Sequence, residues 1–107
     1  MKRDYMKPGM RMSEEPVKVL KACKNLQLKE VSGQHVLIPV GEAAERIEGV
    51  IRLSDSGRFL WEFLQSKRTL EEMVEAIVRE YNIDLPTASE DVRKFVKQME
   101  KLGVLET

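Results

Sequence analysis

The chain has 107 residues, 42% of them hydrophobic and 34% charged, with 18 basic and 18 acidic side chains that cancel. This length fits one domain with a core, and the zero net charge disfavours a general nucleic-acid binder. A single cysteine, Cys23, excludes an internal disulfide and a multi-cysteine zinc site. Because the chain has neither a membrane-length apolar run nor a signal-peptide core, we expect a cytoplasmic protein without membrane contact.

The first part of the chain is basic and rich in methionine. Residues 1–25 carry seven basic and three acidic side chains, a net charge of +4, and residues 26–107 carry −4. Four of the six methionines precede Val17, and the residues before Val17 show no apolar periodicity. The sequence therefore predicts a flexible basic N-terminal tail at 1–16, followed by one domain over 17–107.

Three runs of alternating apolar residues predict a three-stranded sheet. The runs 26–31 and 35–40 are separated by Ser32-Gly33, a turn signal, so they are predicted to form a β-hairpin. Pro39 has no N–H and must therefore face an edge, a bulge or a strand end. The run 47–53 alternates again and is predicted to be the third strand, with Gly49 inside it.

Three helices are predicted after the strands. The segment 54–57 offers several N-cap residues for the first. The second is predicted over 70–81, behind a capping box formed by Thr69 and Glu72. Pro86 is expected to keep the residue before it out of a helix, so the third is predicted to start after a second capping box at 87–90 and to end at Gly103. The fold class is α+β, winged-helix-like, with a three-stranded antiparallel sheet followed by three helices (β-β-β-α-α-α).

No set of residues has the spacing of a catalytic or metal site. His35, Asp55 and Ser56 lack a nucleophile-elbow pattern. We interpret Asp55 and Ser56 as capping residues and His35 as a solvated or hydrogen-bonded strand residue. Cys23 has no second cysteine beside it. The sequence therefore predicts no enzyme, no catalytic residue, no metal and no cofactor.

Two binding functions remain open. The basic residues of the last helix would suit the recognition helix of a winged helix-turn-helix DNA-binding protein. The acidic residues on the same helix and the acidic body disfavour that alternative. An unpaired edge of the third strand would instead accept an extended peptide as an added strand, unless the fold or a second copy shields it.

A family resemblance favours the peptide. The stretches NLQLKEVSGQHVLIPV and EGVIRLSDSGRFLWEFL, then Thr69-Leu-Glu-Glu and DVRKFVKQMEKLGVLE, resemble in order and spacing the PqqD family of precursor peptide recognition elements. The resemblance runs from about residue 25 to residue 106. Ser54 departs from the Leu-Asn of many members, but it keeps their N-cap character, and the basic tail has no counterpart in the family pattern.

The resemblance implies a non-catalytic chaperone that holds the leader of a ribosomally synthesised precursor peptide by strand addition. It would present the peptide to a modifying enzyme of the radical-SAM type, for a quinone-cofactor-like or other product, and bind no nucleic acid. A subunit that activates an enzyme without holding a peptide is a third interpretation. The chain would be a monomer or a strand-exchanged dimer. The peptide-binding residues that the resemblance implies are Ile47, Glu48, Gly49, Val50, Ile51 and Arg52 on the third strand and Arg93, Val96 and Lys97 on the last helix.

Overall fold

A computed structural model describes residues 18–106, so the tail predicted at 1–16 lies outside the described residues. These residues form an α+β fold, as predicted, in which a three-stranded antiparallel sheet precedes the three longer helices. The winged-helix likeness stays a prediction. The elements in chain order are β1 (Val19–Ala22), β2 (Leu26–Val31), β3 (Gln34–Pro39), α1 (Gly41–Arg46), β4 (Ile51–Leu53), α2 (Asp55–Phe63), β5 (Arg68–Thr69), α3 (Leu70–Tyr81), α4 (Leu85–Leu102) and β6 (Leu105–Glu106).

The predicted hairpin is confirmed. β2 pairs with β3 in antiparallel register, with Val31 opposite Gln34. The turn between them places Ser32 at φ 52° and Gly33 at φ 78°. Two positive φ values match the turn type whose twist suits a two-residue hairpin loop. β4 adds to the other side of β3, so the strand order is β2-β3-β4.

The third strand is shorter than predicted, because residues 47–50 lie outside it and only Ile51–Leu53 pair with β3. The Val40 N–H donates to the Asn25 carbonyl over 2.9 Å, which turns Val40 toward β2. By the alternation of an antiparallel ladder, the backbone of Pro39 then faces the β4 side, where it has no N–H to offer. The ladder between β3 and β4 therefore ends at the pair of Leu37 and Ile51, before it reaches Pro39. Gly49, at φ 76°, turns the chain ahead of β4.

A short helix, α1, occupies a stretch whose polar composition predicts only a connection. Its charges match the helix dipole, with Glu42 in the first turn and Arg46 in the last. The Ile47 N–H closes the helix by donating to the Ala43 carbonyl over 2.9 Å. Ile47, predicted as a strand residue, is therefore the C-cap of α1.

The helix ends are mostly as predicted, with one correction. Ser54 caps α2 by accepting from the Gly57 N–H over 3.0 Å. The capping box of Thr69 and Glu72 is present at α3. The second capping box is wrong, because α4 already begins at Leu85 with Pro86 in its first turn. Proline costs little there, since the first N–H groups of a helix have no intrahelical partner.

A second, small sheet closes the other end of the domain. β1 lies between β5 and β6, with Val19 opposite Thr69 and Ala22 opposite Leu105. The Cys23 N–H donates to the carbonyl of Val104, which is fully buried. The chain end thereby returns onto the core, and the small sheet that it joins is not predicted from the sequence.

The core lies between the β2-β3-β4 sheet and helices α2–α4. Trp61 is 2% exposed and packs within it. The other large, fully buried side chains come from five different elements and from the segments that follow α2 and α4. They are Leu20, Leu37, Leu60, Leu64, Met73, Ile77, Met99, Val92 and Val104.

Candidate functional site

The outer edge of β4 presents unpaired backbone groups. Within residues 18–106, β4 pairs only with β3, so its second side is open. The backbone of Pro39 faces β4, and in an antiparallel ladder the backbone of every second residue faces the same neighbouring strand. Ile51 and Leu53 are therefore the β4 residues that form hydrogen bonds with β3. The N–H and C=O of Arg52 therefore face away from the sheet. The carbonyl of Ser54, next along this edge, already accepts from the Arg58 N–H over 2.8 Å.

A cleft adjoins the end of this edge. It is a depression of about 240 Å³ between the start of α2 and one margin of α4. Phe95, 8% exposed, belongs to both the cleft wall and the core. The lining residues are Ser54, Ser56, Gly57, Leu60, Asp91, Lys94, Phe95 and Gln98. The cleft thus combines apolar side chains with polar groups of both charges.

The predicted α4 residues lie elsewhere on the helix. Arg93 lines a groove between α3 and α4, and Lys97 lines a shallow depression along α4; neither includes a residue of β4. Val96 is buried in the core, one turn beyond Val92. Ser54, which follows β4, shares the cleft with Phe95, whereas no residue of β4 or Ser54 lines either depression that contains Arg93 or Lys97. Periodicity could not separate these margins, because Phe95 and Val96 belong to the same apolar face.

The segment before β4 is accessible. Val50 is 53% exposed, and Glu48 and Gly49 are also exposed. Ile47 is half-buried and packs against the core. Of the six residues predicted for this strand, only Ile51 and Arg52 lie in β4, while the other four lead into it.

A polar bracket holds the start of α2 against the hairpin. His35 Nε2 lies 3.0 Å from Asp55 Oδ1, which confirms a hydrogen-bonded histidine. The Tyr81 hydroxyl donates to the Asp55 carbonyl over 3.2 Å, and its ring meets Phe59 edge-on at 5.8 Å between centroids. Burial raises the pKa of Tyr81, so the hydroxyl stays a donor at neutral pH. These contacts hold Asp55, the residue that follows Ser54 at the cleft. Sequence reasoning missed the role of Tyr81, since a tyrosine on an amphipathic face carries no signal of its partner.

The thiol of Cys23 is in its neutral form at physiological pH. Burial raises its pKa, and Glu106 raises it further against a smaller opposite effect of Arg46. Thiolate is the reactive form of cysteine, so this thiol is a poor nucleophile. No group of three or more His, Cys, Asp and Glu side chains in the described part of the chain could hold a metal ion. None of the helices there is long and apolar enough to cross a membrane.

Comparison with known proteins identifies the family. The family model described as coenzyme PQQ synthesis protein D (PqqD) matches residues 34–105, which include β3, β4, the cleft and α4. The chain belongs to the PqqD family. The family resemblance predicted from the sequence is thereby confirmed. No curated protein matches the chain.

Two solved structures are similar to this PqqD-family chain. One is TbiB1 in complex with the TbiA(beta) leader peptide, at 26% identity and a TM-score of 0.62, covering 80% of this chain and 94% of the other. The second is the PqqD truncation of Methylobacterium extorquens PqqCD, described as a functional and stand-alone RiPP recognition element. It has 16% identity and a TM-score of 0.65, covering 83% of this chain and 89% of the other. This second likeness concerns the fold.

Proposed function

We propose that the chain recognises the leader of a ribosomally synthesised precursor peptide and presents that peptide to a modifying enzyme. Membership of the PqqD family supports this function, as does the similarity to TbiB1, whose structure contains a leader peptide. We extend the proposal to an enzyme of the radical-SAM type as the partner. The chain supplies binding and position, and the chemistry takes place on the enzyme.

The open edge of β4 beside the cleft carries the proposal. An extended peptide placed there bonds to the N–H and C=O of Arg52 and continues past the exposed Val50. Every second side chain of an added strand points to the same face. One row of leader side chains therefore faces the cleft, where Leu60 and Phe95 offer apolar contact. Backbone bonds provide affinity, and the cleft selects the side chains.

The charges of the cleft determine the leader that fits it. Lys94 reaches Glu90 over 3.6 Å, but both side chains are about 70% exposed, so this ion pair is weak and can open. Asp91 stands one turn before Phe95 on the same margin. A leader with an apolar residue flanked by charged ones matches this surface. Arg93 and Lys97, on the other margin, are not part of the proposed contact.

Titration of the ¹⁵N-labelled chain with synthetic leaders tests the function. The leaders are those of short precursors encoded beside its gene, with a scrambled leader as control and the TbiA(beta) leader as a comparator. We expect amide shifts at 50–54 and 91–98 that saturate with one leader and are absent with its scrambled version. If no leader shifts these amides, the peptide proposal fails. Binding to DNA that weakens steeply with salt would instead favour the winged-helix alternative.

A further inference from the structure

A groove of about 540 Å³ lies between α3 and α4 and shares no lining residue with the cleft beside β4. Four of its side chains are apolar, and among them Leu85 is 61% exposed, more than any other large apolar residue described. Apolar side chains grouped in an open groove indicate an interaction surface. The lining residues are Leu70, Glu71, Val74, Glu75, Leu85, Ser89, Val92 and Arg93.

The α3 side of the groove is acidic. Glu71 and Glu75 are one turn apart on α3, and both are exposed. Like charges at this spacing repel each other, so a basic side chain placed between them relieves the repulsion and is held by both. A partner therefore gains from basic side chains on the margin that faces α3.

The α4 side of the groove is basic. Arg93 is exposed there, and a shallow depression of about 590 Å³ that shares Arg93 continues along α4 to Lys97, one turn further. Glu90 and Lys94 also line this depression, but they pair with each other over 3.6 Å and cancel. The two walls and the apolar floor between them, here called the α3–α4 surface, thus form an acidic, an apolar and a basic band.

This order of bands fits an amphipathic helix. Such a helix presents apolar side chains on one face and carries polar or charged ones along the two margins of that face. An extended peptide gains no backbone bonds here, because both walls are helices whose backbone groups bond internally. A small ligand would need an enclosed pocket, whereas Leu85 is open to water.

One helix, α4, borders both the cleft and the groove. The cleft uses the margin of Asp91 and Phe95, and the groove uses the margin of Val92 and Arg93. A helix with its side chains is about 10–12 Å across, so occupants on two margins of α4 lie roughly that far apart. A leader in the cleft and a partner on the α3–α4 surface can therefore be bound at the same time.

We propose that the α3–α4 surface docks an amphipathic helix of the modifying enzyme. Basic side chains of that helix lie against Glu71 and Glu75, its acidic side chains lie against Arg93 and Lys97, and Leu85 is the exposed apolar anchor. The inference rests on the proposed function, which supplies the enzyme as the partner. It adds the place where the enzyme docks and the side chains that select it.

Two variants of the surface test the docking. The probe is the purified modifying enzyme encoded beside the gene of this chain; its Kd for the full chain is measured by biolayer interferometry, and the Kd of the leader by calorimetry. The double variant Glu71→Lys, Glu75→Lys and the single variant Leu85→Ser should each raise the Kd of the enzyme at least about 10-fold. Both should change the Kd of the leader less than about 3-fold.

Matched controls make the same chemical changes elsewhere. Glu42→Lys, Glu45→Lys reverses two exposed charges on α1, and Val31→Ser removes a valine of β2 that is 51% exposed. Both should leave the Kd of the enzyme within about 3-fold of wild type. An equal loss in the controls and in the surface variants would refute docking at the α3–α4 surface.

Photo-crosslinking from position 85 locates the docked segment. The substitution Leu85→p-benzoylphenylalanine should crosslink to a helix of the enzyme that carries one basic and one acidic margin. Reversal of its basic residues to glutamate should then restore binding of the Glu71→Lys, Glu75→Lys variant. Crosslinks to a segment without that pattern, or no restoration, would overturn the inference.

Failure of the docking and failure of the proposed function give different results. If the leader binds but the enzyme binds both surface variants as it binds wild type, or does not bind at all, only the docking inference fails. If no leader binds, the proposed function fails and the inference falls with it. Crosslinks from position 85 to a second copy of this chain would assign the groove to a dimer and refute the inference. Should Trp61 fluorescence show that the double variant is unfolded, Leu85→Ser decides, because Leu85 is not part of the core.

Discussion

Replacing Arg52 by proline tests the proposed peptide edge at a single backbone atom. The Arg52 N–H faces away from β3, so proline removes a donor that the fold itself does not use. Ile51 before it is extended, as a residue that precedes proline must be. One lost hydrogen bond weakens binding by about 1 kcal/mol, and a leader carbonyl left unsatisfied against the protein raises this toward about 3 kcal/mol. The expected Kd is therefore about 5- to 150-fold higher.

Two controls isolate the N–H from other effects of this substitution. Arg52→Ala removes the same side chain, which lies opposite the buried Val36, but keeps the donor. Glu30→Pro places proline on β2, at the other edge of the sheet, where the ladder alternation also turns the N–H outward. Both should change the Kd of the leader less than about 3-fold, which is about 0.6 kcal/mol.

Calorimetric titration with the cognate leader provides the Kd, and Trp61 fluorescence under urea reports whether each variant is folded. Trp61 is the only tryptophan and is buried, so its emission follows unfolding of the core. A folded Arg52→Pro variant that binds the leader as tightly as Arg52→Ala would refute strand addition at β4. An equal loss in Arg52→Ala and Arg52→Pro would assign the effect to the guanidinium.

Further outcomes are expected at four positions. Val50→Pro, in the exposed approach to β4, should weaken leader binding with little change in stability; unchanged affinity would place the peptide nearer Ser54. Thr69→Ala breaks the capping box and should lower the free energy of unfolding by about 1 kcal/mol, and Tm by about 4–8 °C by calorimetry. Gly103→Ala forces alanine to φ 75° and should destabilise the chain by about 1–2 kcal/mol, whereas Gly103→Asn should cost clearly less. The Cys23 thiol should react with iodoacetamide more slowly in the folded than in the urea-unfolded chain at the same pH. Burial raises the pKa of the Cys23 thiol in the folded chain. The thiol therefore contributes its full stability below the pKa of the unfolded thiol, and this contribution is lost as pH rises through the pKa of the folded one. Above about pH 9, the wild type should lose more stability than Cys23→Ala.

Features determined by neighbours in sequence were predictable. The hairpin of β2 and β3 rests on alternation and a two-residue turn, and the start of α3 rests on Thr69 and Glu72, three residues apart. Gly103 ends α4 because glycine readily adopts a positive φ. In each case the signal lies within a few residues of the feature.

Features determined by distant partners were not predictable. β5 and β6 have two residues each and form only because β1 lies between them, so no local pattern marks them. The length of β4 depends on which side of β3 the Pro39 backbone faces, and this follows from the register with β2. The margin of α4 that lines the cleft depends on how α4 packs beside α2. Position on an apolar face identifies a buried residue but not its neighbour.

If a leader adds to β4 as proposed, Pro39 limits how much of that leader the edge can contact. Because the ladder with β3 stops at Ile51, the edge available to a peptide runs only from Val50 to Ser54. Side chains on one face of a strand repeat about every 6.8 Å, so at most three leader side chains meet the cleft. Selection on the leader therefore acts on a window of about five residues. Under that proposal, precursors that differ everywhere else would be bound alike, and a search for leaders should score that window alone.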